Sequence, residues 1–260
     1  MHVFDFNRAL ARAPSPSVVN GLRTSDKGAP KLDGVVREHA AYVRALEDAG
    51  VLVDLLPPLI AYPDSMFVED AALAFPGVAI VLRPGAPARR GEAREIAPAL
   101  EHRFDRVLRL DEGFVDGGDV LATQSVVYIG QSARTTAQGA QALSALLAQI
   151  GLRGAAVTTP AGVLHLKSDC SLLDDETILL TARLAASGVF EGFQQIVVPD
   201  GDEGAANAVR VNDRVLIDDA YPRTAELLVN SGYRIIPLPT CEISKIDAGL
   251  SCMSLRWRAP

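Results

Sequence analysis

The chain has 260 residues, of which 48% are hydrophobic, and it carries a formal net charge of −7. This composition allows a large buried core, and no compositional break divides the sequence, so we expect one domain spanning residues 1–260. The acidic charge, with no basic run longer than two residues, argues against nucleic acid as a partner.

The N-terminal residues and the cysteines predict the cellular compartment. The N-terminus carries charges where a signal peptide requires an apolar core, and the longest apolar run, residues 71–82, contains Pro76 and Gly77. Three cysteines without a Cys-x-x-Cys pair or zinc-type spacing are typical of free thiols in a reducing compartment. We therefore expect a cytoplasmic protein without a membrane segment or a disulfide frame.

Short apolar segments alternate with helical patterns along the chain, which indicates an α/β fold class. The apolar segments predict strands at residues 51–56, 79–82, 126–129, 178–181, 196–198, 215–217 and 233–238. Residues 140–150 predict a helix, because their leucines fall on one helical stripe and Gly151 follows where a left-handed residue commonly ends a helix. Asn212 and Asp213, between two apolar segments, predict a tight antiparallel hairpin, so the sheet is not expected to be purely parallel.

Four of the predicted strands are each followed by a turn, an arginine and then helical sequence. They begin at Ala79, Val126, Ile178 and Val215, which lie 47, 52 and 37 residues apart. Periods of this size are typical of stacked or radial repeats, in which each unit buries an open face against the next. Ordinary alternation of strands and helices would produce a similar spacing, so the pattern leaves both interpretations open.

Two residues far apart in sequence have the chemistry that thiol catalysis requires. Cys252 follows small residues and precedes apolar ones, and His165 alternates with leucines, which places its ring on the opposite strand face from theirs. A nucleophilic cysteine needs a base that meets it only in the folded chain. Taken alone, each residue is more often a packed position in the core, and the pair is suggestive without being specific.

Two acidic clusters run into apolar sequence. The first contains three carboxylates and an aromatic ring, at Asp64, Phe67, Glu69 and Asp70. The second, Val115-Asp-Gly-Gly-Asp-Val, has paired glycines that permit a tight turn or a close approach of two backbones. Carboxylates held at strand ends match the N–H donors of a planar guanidinium cation. The clusters together favour a cation site, whereas each alone would also fit a solvated loop.

Four segments stand in a fixed order along the chain: Phe67-Val-Glu-Asp, Val115-Asp-Gly-Gly-Asp-Val, Leu164-His-Leu-Lys-Ser and Gly249-Leu-Ser-Cys-Met-Ser. Together they resemble the dimethylarginine dimethylaminohydrolase family, and residues 89–92 and 129–135 are also similar to segments of that family. The resemblance extends from about residue 13 to residue 257. It implies the fold of the guanidino-modifying (pentein) enzymes, a five-fold pseudosymmetric α/β propeller of ββαβ-type units around a central active site. Closing this propeller would bring residues 250–255 beside the N-terminal sequence.

The resemblance implies three catalytic residues. Cys252 matches the nucleophile of the family, His165 its acid/base histidine, and Asp116 the carboxylate that orients the histidine and approaches the guanidinium. Other members carry Asp or Glu at the position of Asp116, so the aspartate shortens the reach by one methylene. The resemblance implies neither a metal ion nor a cofactor.

The resemblance also implies how a substrate is held. Glu69 and Asp70 match residues that line the guanidinium pocket, and Phe67 matches one that lies against the aliphatic chain. Because neighbouring strand residues point to opposite faces, both carboxylates reach the substrate only if the chain is irregular there, and Asp70 is the better candidate. Further residues match positions that hold the amino-acid end or belong to the last substrate-contacting segment: Leu22 (through its backbone), Asp64, Arg89, Arg134, Ile246 and Asp247.

The reaction implied by the resemblance is hydrolysis of Nω-methylated arginine to citrulline and methylamine or dimethylamine, through a covalent S-alkylthiouronium intermediate. Two alternatives stay open: a related hydrolase acting on free arginine or citrulline, and a non-catalytic protein that binds cationic amino acids. A zinc hydrolase is disfavoured, because His165 and Cys170 are poorly spaced for zinc. The expected partner is a small-molecule substrate, without nucleic acid or membrane, and a homodimer is the oligomer considered.

Overall fold

The structure is a computed structural model that describes residues 2–24 and 26–259. Within these residues the chain forms five α-helices and fifteen β-strands. The helices are α1 (Leu32–Asp48), α2 (Glu92–Glu101), α3 (Ala137–Ala148), α4 (Ala182–Ala185) and α5 (Pro222–Asn230). The strands are β1 (Arg8–Arg12), β2 (Leu52–Leu56), β3 (Ala72–Phe75), β4 (Val78–Val81), β5 (Arg106–Arg109), β6 (Val120–Ala122), β7 (Val127–Gln131), β8 (Gly154–Thr158), β9 (Cys170–Leu172), β10 (Thr177–Leu180), β11 (Gln194–Val197), β12 (Val209–Val211), β13 (Arg214–Asp218), β14 (Arg234–Leu238) and β15 (Ser254–Trp257). In the described part of the chain, every helix is too short or too polar to span a lipid bilayer.

Every sheet has three strands with the same connectivity. An inner strand pairs antiparallel with a middle strand, a helix follows the middle strand, and an outer strand then pairs parallel with the middle one. Written from inner to outer strand, the sheets are β3-β4-β5, β6-β7-β8, β9-β10-β11, β12-β13-β14 and β15-β1-β2. These five ββαβ-type units form the pseudosymmetric α/β propeller that the sequence predicted, so that prediction is confirmed.

The fifth sheet closes the propeller by joining the two ends of the chain. Strand β1 pairs antiparallel with β15, with Arg8 opposite Trp257 and Ala11 opposite Ser254. The prediction that residues 250–255 lie beside the N-terminal sequence is therefore confirmed. Strand β15, the inner strand of this sheet, begins at Ser254, two residues after Cys252.

The elements predicted from the sequence correspond to observed ones. The four strands of the loose repeat are the middle strands β4, β7, β10 and β13 of four sheets, which confirms the repeat interpretation. Helix α3 begins three residues before the predicted start, and Gly151 has a φ of 76° after it. The hairpin between β12 and β13 is antiparallel, and Asn212 has the expected positive φ of 52°. The inner strands β3, β6, β9 and β15 have no counterpart among the predicted strands.

A short 3-10 helix precedes each inner strand, and we call these segments turns 1 to 5. They are turn 1 (Val68–Ala71), turn 2 (Gly117–Asp119), turn 3 (Leu166–Ser168), turn 4 (Glu203–Ala206) and turn 5 (Leu250–Met253). Turn 1 contacts turns 2 and 5, turn 2 contacts turn 3, and turn 3 contacts turn 4. The same short element from each unit is therefore brought towards one central region.

The closing sheet is anchored by apolar side chains. Leu255 of β15 is 4% exposed and belongs to a buried cluster that also contains Leu10 of β1 and Ile96 of α2. On β2, the outer strand of the same sheet, Leu55 is 54% exposed. The inner and outer edges of one sheet thus contribute very differently to the core.

We expect Leu255→Ala to lower the free energy of unfolding by about 2 to 5 kcal/mol, because truncation of a buried leucine loses apolar contact and leaves a cavity. The matched control Leu55→Ala should change it by less than about 0.5 kcal/mol, since that side chain is exposed. Urea denaturation followed by circular dichroism measures both changes. Equal effects of the two substitutions would contradict the proposed importance of the closing strand.

Candidate active site

The imidazole of His165 lies at the centre of the candidate site. The residue is 7% exposed, its Nε2 atom lies 3.0 Å from Asp116 Oδ2, and a ligand atom of Asp70 lies within 4.8 Å of the ring. Burial alone would lower the pKa of a histidine, but the charge of Asp70, the hydrogen bond to Asp116 and the charge of Asp119 outweigh burial and raise the pKa of His165 to about 9. His165 is therefore protonated at neutral pH.

Asp116 is fixed by contacts on several sides. It is fully buried, its Oδ1 accepts the backbone N–H of Gly85 at 2.7 Å, and its own backbone N–H donates to Thr135 Oγ1 at 3.2 Å. Arg134 Nη1 lies 3.8 Å from Asp116 Oδ2. These contacts hold Oδ2 towards His165 and fix the direction of the imidazole ring.

The paired glycines of turn 2 allow backbone and side chains to approach closely. A Cβ atom on Gly117 would lie 1.9 Å from the carbonyl oxygen of Glu69, and one on Gly118 would lie 2.7 Å from His165 Nδ1. The backbone N–H of Gly118 donates to Asp70 Oδ1 at 2.8 Å. The close approach predicted for this glycine pair is confirmed, and it is what brings the histidine ring against turn 2.

Asp70 in turn 1 is held between two cations. Burial by itself raises the pKa of its carboxyl, but His165 and Arg89 outweigh burial and lower the pKa of Asp70 to about 2. The buried side chain of Arg89 forms an ion pair with Asp70, a second one with Glu92 at 2.7 Å, and a hydrogen bond to the carbonyl of Phe67 at 2.8 Å. Most N–H groups of Arg89 are thus engaged by the protein itself.

Cys252 lies in turn 5 with a partly exposed side chain. Burial, followed by the negative charges of Glu69 and Asp70, raises the pKa of the Cys252 thiol to about 12. The backbone N–H of Cys252 donates to the carbonyl of Gly249 at 3.3 Å. The thiol is therefore protonated in the free protein at neutral pH. The other two cysteines, buried Cys170 and exposed Cys241, are free as expected.

One cavity brings together ten of the twelve site residues predicted from the sequence. Its walls include Leu22, Asp64, Phe67, Asp70, Arg89, Arg134, His165, Ile246, Asp247 and Cys252. Asp116 is not part of the wall and lies behind His165. A second cavity of about 300 Å³ adjoins this one and shares His165 and Cys252 with it. The histidine and the cysteine therefore stand where the two cavities meet.

Two loops are tied to the wall of the first cavity. Asp64 Oδ1 accepts the backbone N–H of Leu22 at 3.0 Å, and the Asp247 carboxylate accepts the backbone N–H of Thr24. Asp247 has a φ of 53°, in the left-handed region that residues other than glycine rarely adopt. Burial raises the pKa of Asp64 above its ordinary value. The loop that carries Leu22 and the loop that carries Asp247 are thereby joined beside the cavity.

Glu69 faces away from the cavity that its neighbour Asp70 lines. Its Oε1 lies 2.6 Å from Lys167 Nζ and 3.3 Å from Arg256 Nη2, and its Oε2 accepts the hydroxyl of Ser251 at 3.0 Å. The two adjacent carboxylates of turn 1 thus point in different directions. Asp70 lines the first cavity, whereas Glu69 lies in an ion-pair network beside turn 5.

Asp119 organises the site although sequence reasoning did not select it. It is fully buried, and its carboxylate accepts the backbone N–H of Leu166 at 2.8 Å and the hydroxyls of Ser132 and Thr135 at 2.7 and 2.6 Å. Through Leu166 it fixes turn 3, and through Thr135 it reaches the backbone of Asp116. The sequence feature that could have identified Asp119 is its position as the second acid of the Asp-Gly-Gly-Asp segment, three residues after Asp116. Both of these carboxylates are buried.

Among the described residues, one group of three side chains has the geometry of metal ligands. Asp70, Asp116 and His165 offer ligand atoms within 4.8 Å of one another. Their atoms already pair with one another, with Arg89 and with the backbone N–H groups of turn 2 and its surroundings. The three side chains therefore already have partners within the protein, in an arrangement that matches a protonated imidazole held by carboxylates.

We expect Asp116→Asn to lower the pKa of His165 from about 9, because the substitution removes a negative charge and a strong acceptor of the imidazole N–H. The raised pKa means that the imidazolium stabilises the fold below pH 6.5 and that this contribution is lost as the pH rises through about 9. NMR titration of the histidine ring measures the change. Asp202 is a buried aspartate immediately before turn 4. Asp202→Asn is therefore the matched control and should leave the His165 titration unchanged. An unaltered pKa in the Asp116 variant would contradict the assigned cause.

No protein-family model matches the chain. Among curated proteins, the N(G),N(G)-dimethylarginine dimethylaminohydrolase of Pseudomonas aeruginosa is 40% identical over 254 residues, which cover 97% of this chain and 100% of that protein. The protein of the same name from Streptomyces coelicolor is 34% identical over 253 residues, covering 96% of this chain and 97% of that protein.

A solved structure of the Pseudomonas aeruginosa protein, a cysteine-to-serine mutant in complex with citrulline, matches the fold with a TM-score of 0.94. It is 40% identical and covers 97% of this chain and 100% of that one. The likeness thus includes the sequence, the propeller and nearly every residue of both chains. The chain belongs to the dimethylarginine dimethylaminohydrolase family.

Proposed function

We propose that this protein hydrolyses Nω-methylated arginine to citrulline and methylamine or dimethylamine, with Cys252 as the nucleophile. The observation that carries the proposal is the meeting of Cys252, His165 and Asp70 at one cavity wall, with Asp116 behind the histidine. Family membership supports it, because a relative in the same family has been solved in complex with citrulline.

The charges of the cavity support the binding of an amino acid with a cationic side chain. In the proposal, Asp70 accepts N–H groups of the guanidinium, and Phe67 lies against the methylene chain. Arg134 binds the α-carboxylate, since its side chain lines the cavity and its nearest carboxylate in the protein is 3.8 Å away. Arg89 sits deeper and acts on the substrate mainly by holding Asp70, because its own donors are largely engaged.

The remaining contacts of the proposal come from the two joined loops. Asp64 attracts the α-amino group of the substrate, and Leu22 contributes its backbone beside that group. Ile246 and Asp247 contact the substrate from the opposite loop. Because Asp247 accepts an N–H from Thr24, the two loops can close over a bound amino acid together.

In the first half of the reaction, binding of the guanidinium neutralises the negative field that keeps the Cys252 thiol protonated. The thiol then loses its proton to solvent, and the thiolate sulfur forms a bond to the central guanidinium carbon. His165, which is protonated at neutral pH, donates its proton to the methylated nitrogen while the bond from carbon to that nitrogen breaks. The amine leaves, and an S-alkylthiouronium remains on Cys252.

In the second half, the now neutral His165 removes a proton from a water molecule, and the resulting hydroxide adds to the thiouronium carbon. The carbon–sulfur bond breaks, citrulline is released, and Cys252 regains a proton. The adjoining cavity of about 300 Å³, which also reaches His165 and Cys252, provides room for the departing amine and for the incoming water. No metal or cofactor takes part in the proposed steps.

We expect the purified protein to release citrulline and an amine from dimethylarginine or monomethylarginine, and little ammonia from arginine. Cys252→Ser should lower turnover by about 1,000-fold or more, because the hydroxyl is a much weaker nucleophile here. Cys241→Ser, at an exposed cysteine, is the matched control and should retain full activity. A panel assay of citrulline, amine and ammonia makes the measurement.

Two results would overturn the proposal, one from this panel and one from the panel combined with a measurement of methylarginine binding. Faster turnover of arginine than of methylarginines would identify a related guanidino hydrolase. Tight methylarginine binding without citrulline formation, unaffected by the Cys252 substitution, would identify a binding protein for cationic amino acids.

We further expect chloroacetamidine, which is cationic, to alkylate Cys252 about 10-fold or more faster than the neutral chloroacetamide at pH 7, because only the cation lowers the pKa of the thiol from about 12. Exposed Cys241 serves as an internal control and should react with the two reagents at rates that reflect their intrinsic reactivity. Mass spectrometry of the two peptides over time measures both rates. If the ratio of the two alkylation rates is the same at Cys252 and at Cys241, cation binding and thiolate formation are not coupled.

The proposed substrate is a small molecule, and neither nucleic acid nor a membrane enters the proposal. The cytoplasmic location, the single domain and the homodimer expected from the sequence stay predictions.

A further inference from the structure

Four of the five turns place a reactive or charged group of the candidate site next to an inner strand. Turn 1 contains Asp70, turn 2 follows Asp116, turn 3 follows His165, and turn 5 contains Cys252. Turn 4 contributes no charged side chain to this set. Directly after it comes Asn207, which lines the second cavity together with His165 and Cys252.

The carboxamide of Asn207 is bonded to the two neighbouring turns. Its Nδ2 donates to the carbonyl of Lys167 in turn 3 at 2.7 Å and to the hydroxyl of Ser251 in turn 5 at 3.1 Å. Its Oδ1 accepts the backbone N–H of Ser251 at 3.0 Å. Lys167 lies two residues after His165, and Ser251 immediately precedes Cys252. Both N–H groups and the oxygen of one side chain are therefore used to join the segments that carry the histidine and the cysteine.

The chain around Asn207 is shaped for this contact. A Cβ atom on Gly249 would lie 2.4 Å from Asn207 Oδ1, so turn 5 can approach the carboxamide only because glycine stands at its start. The hydroxyl of Ser251 continues the network by donating to Glu69 Oε2 at 3.0 Å. One hydrogen-bonded path beside Cys252 thereby connects turn 3, the residue after turn 4, turn 5 and turn 1, which belong to four different sheets.

We propose that Asn207 is a positioning residue, which sets the distance and angle between Cys252 and His165 by tying turn 3 to turn 5. The inference rests on the proposed function, since positioning is defined by the reaction of that pair. Small displacements of reacting groups cost large factors in rate, so a tie made of three hydrogen bonds is expected to act on the chemical step more than on substrate binding. Asn207 lines the second cavity and is absent from the wall of the first, where the amino acid is proposed to bind.

Asn212 provides a matched control within the same unit of the propeller. Its Oδ1 accepts the backbone N–H of Phe6 at 2.8 Å, and its Nδ2 donates to the carbonyls of Phe6 and Ala49 at 3.0 and 2.7 Å. The two asparagines thus make the same number of hydrogen bonds with the same donor and acceptor roles. Asn212 ties the N-terminal segment to the end of α1, away from both cavities, so its loss tests a purely structural contribution.

The test compares Asn207→Asp, Asn207→Ala and Asn212→Asp in the full chain. Aspartate keeps the shape of asparagine but has no N–H to donate, so the tie to Lys167 is replaced by two oxygens facing each other. We expect both Asn207 variants to lower kcat for dimethylarginine by about 10- to 100-fold with KM changed by about 2-fold or less. Asn212→Asp should leave kcat and KM unchanged while lowering the melting temperature. If the aspartate variant fails to fold, the alanine variant, which adds no charge, carries the same test.

Two readouts do not depend on turnover: the pH profile of Cys252 alkylation by iodoacetamide and the NMR signal of the His165 ring. Both should shift in Asn207→Ala and stay as in the unaltered protein in Asn212→Asp. The inference is overturned if Asn207→Ala retains full kcat, if it raises KM alone, or if kcat falls in all three variants in proportion to melting temperature. Failure of the unaltered protein to hydrolyse any methylarginine would instead refute the proposed function, and unchanged alkylation and NMR profiles would then refute the role of Asn207 as well.

Discussion

A protonated imidazole enclosed by buried carboxylates is the interaction on which the site depends. His165 would lose its proton if burial acted alone, and it keeps the proton to a pH of about 9 because Asp70, Asp116 and Asp119 surround it. Each carboxylate is in turn fixed by backbone N–H groups, hydroxyls or Arg89. In the proposed reaction, the acid that protonates the departing amine is thereby present before a substrate arrives.

One of these carboxylates also acts on the thiol. After the larger effect of burial, Glu69 and then Asp70 raise the pKa of Cys252, and Asp70 is the carboxylate that also helps to keep His165 protonated. The acidic cavity therefore keeps both His165 and Cys252 protonated, and a bound cation shifts the thiol towards the thiolate. In the proposed reaction, binding of the guanidinium and activation of the thiol then follow from one electrostatic cause, to which Lys167 adds a smaller positive contribution.

Four of the five middle strands, β4, β7, β10 and β13, could be predicted because they consist of continuous, largely buried apolar residues, as in Thr177–Leu180. The fifth, β1, has an arginine at each end and was not predicted. Four of the inner strands could not, because segments such as Val120–Ala122 and Cys170–Leu172 have three residues each and show no period, whereas β12 was indicated by the hairpin at Asn212. The cavity residues followed from motifs. The direction of Glu69, the buried partners of Arg89 and the bridge made by Asn207 depend on contacts between distant units, which no local pattern contains.

The pseudosymmetry explains why such distant residues meet at all. After the outer strand of each unit, the chain continues into a 3-10 turn and then the inner strand of the next unit. The five turns therefore come together in one central region, where neighbouring turns contact each other. Gly117, Gly118 and Gly249 let neighbouring turns approach closely, because a Cβ atom at any of these positions would lie within 2.7 Å of an atom from another turn or from the residue beside it. Because no unit contains more than one member of the reacting pair, the geometry of Cys252 and His165 is a property of the contacts between units. In the proposed reaction, residues that cross those contacts, such as Asn207, therefore determine the arrangement as much as the groups that touch the substrate.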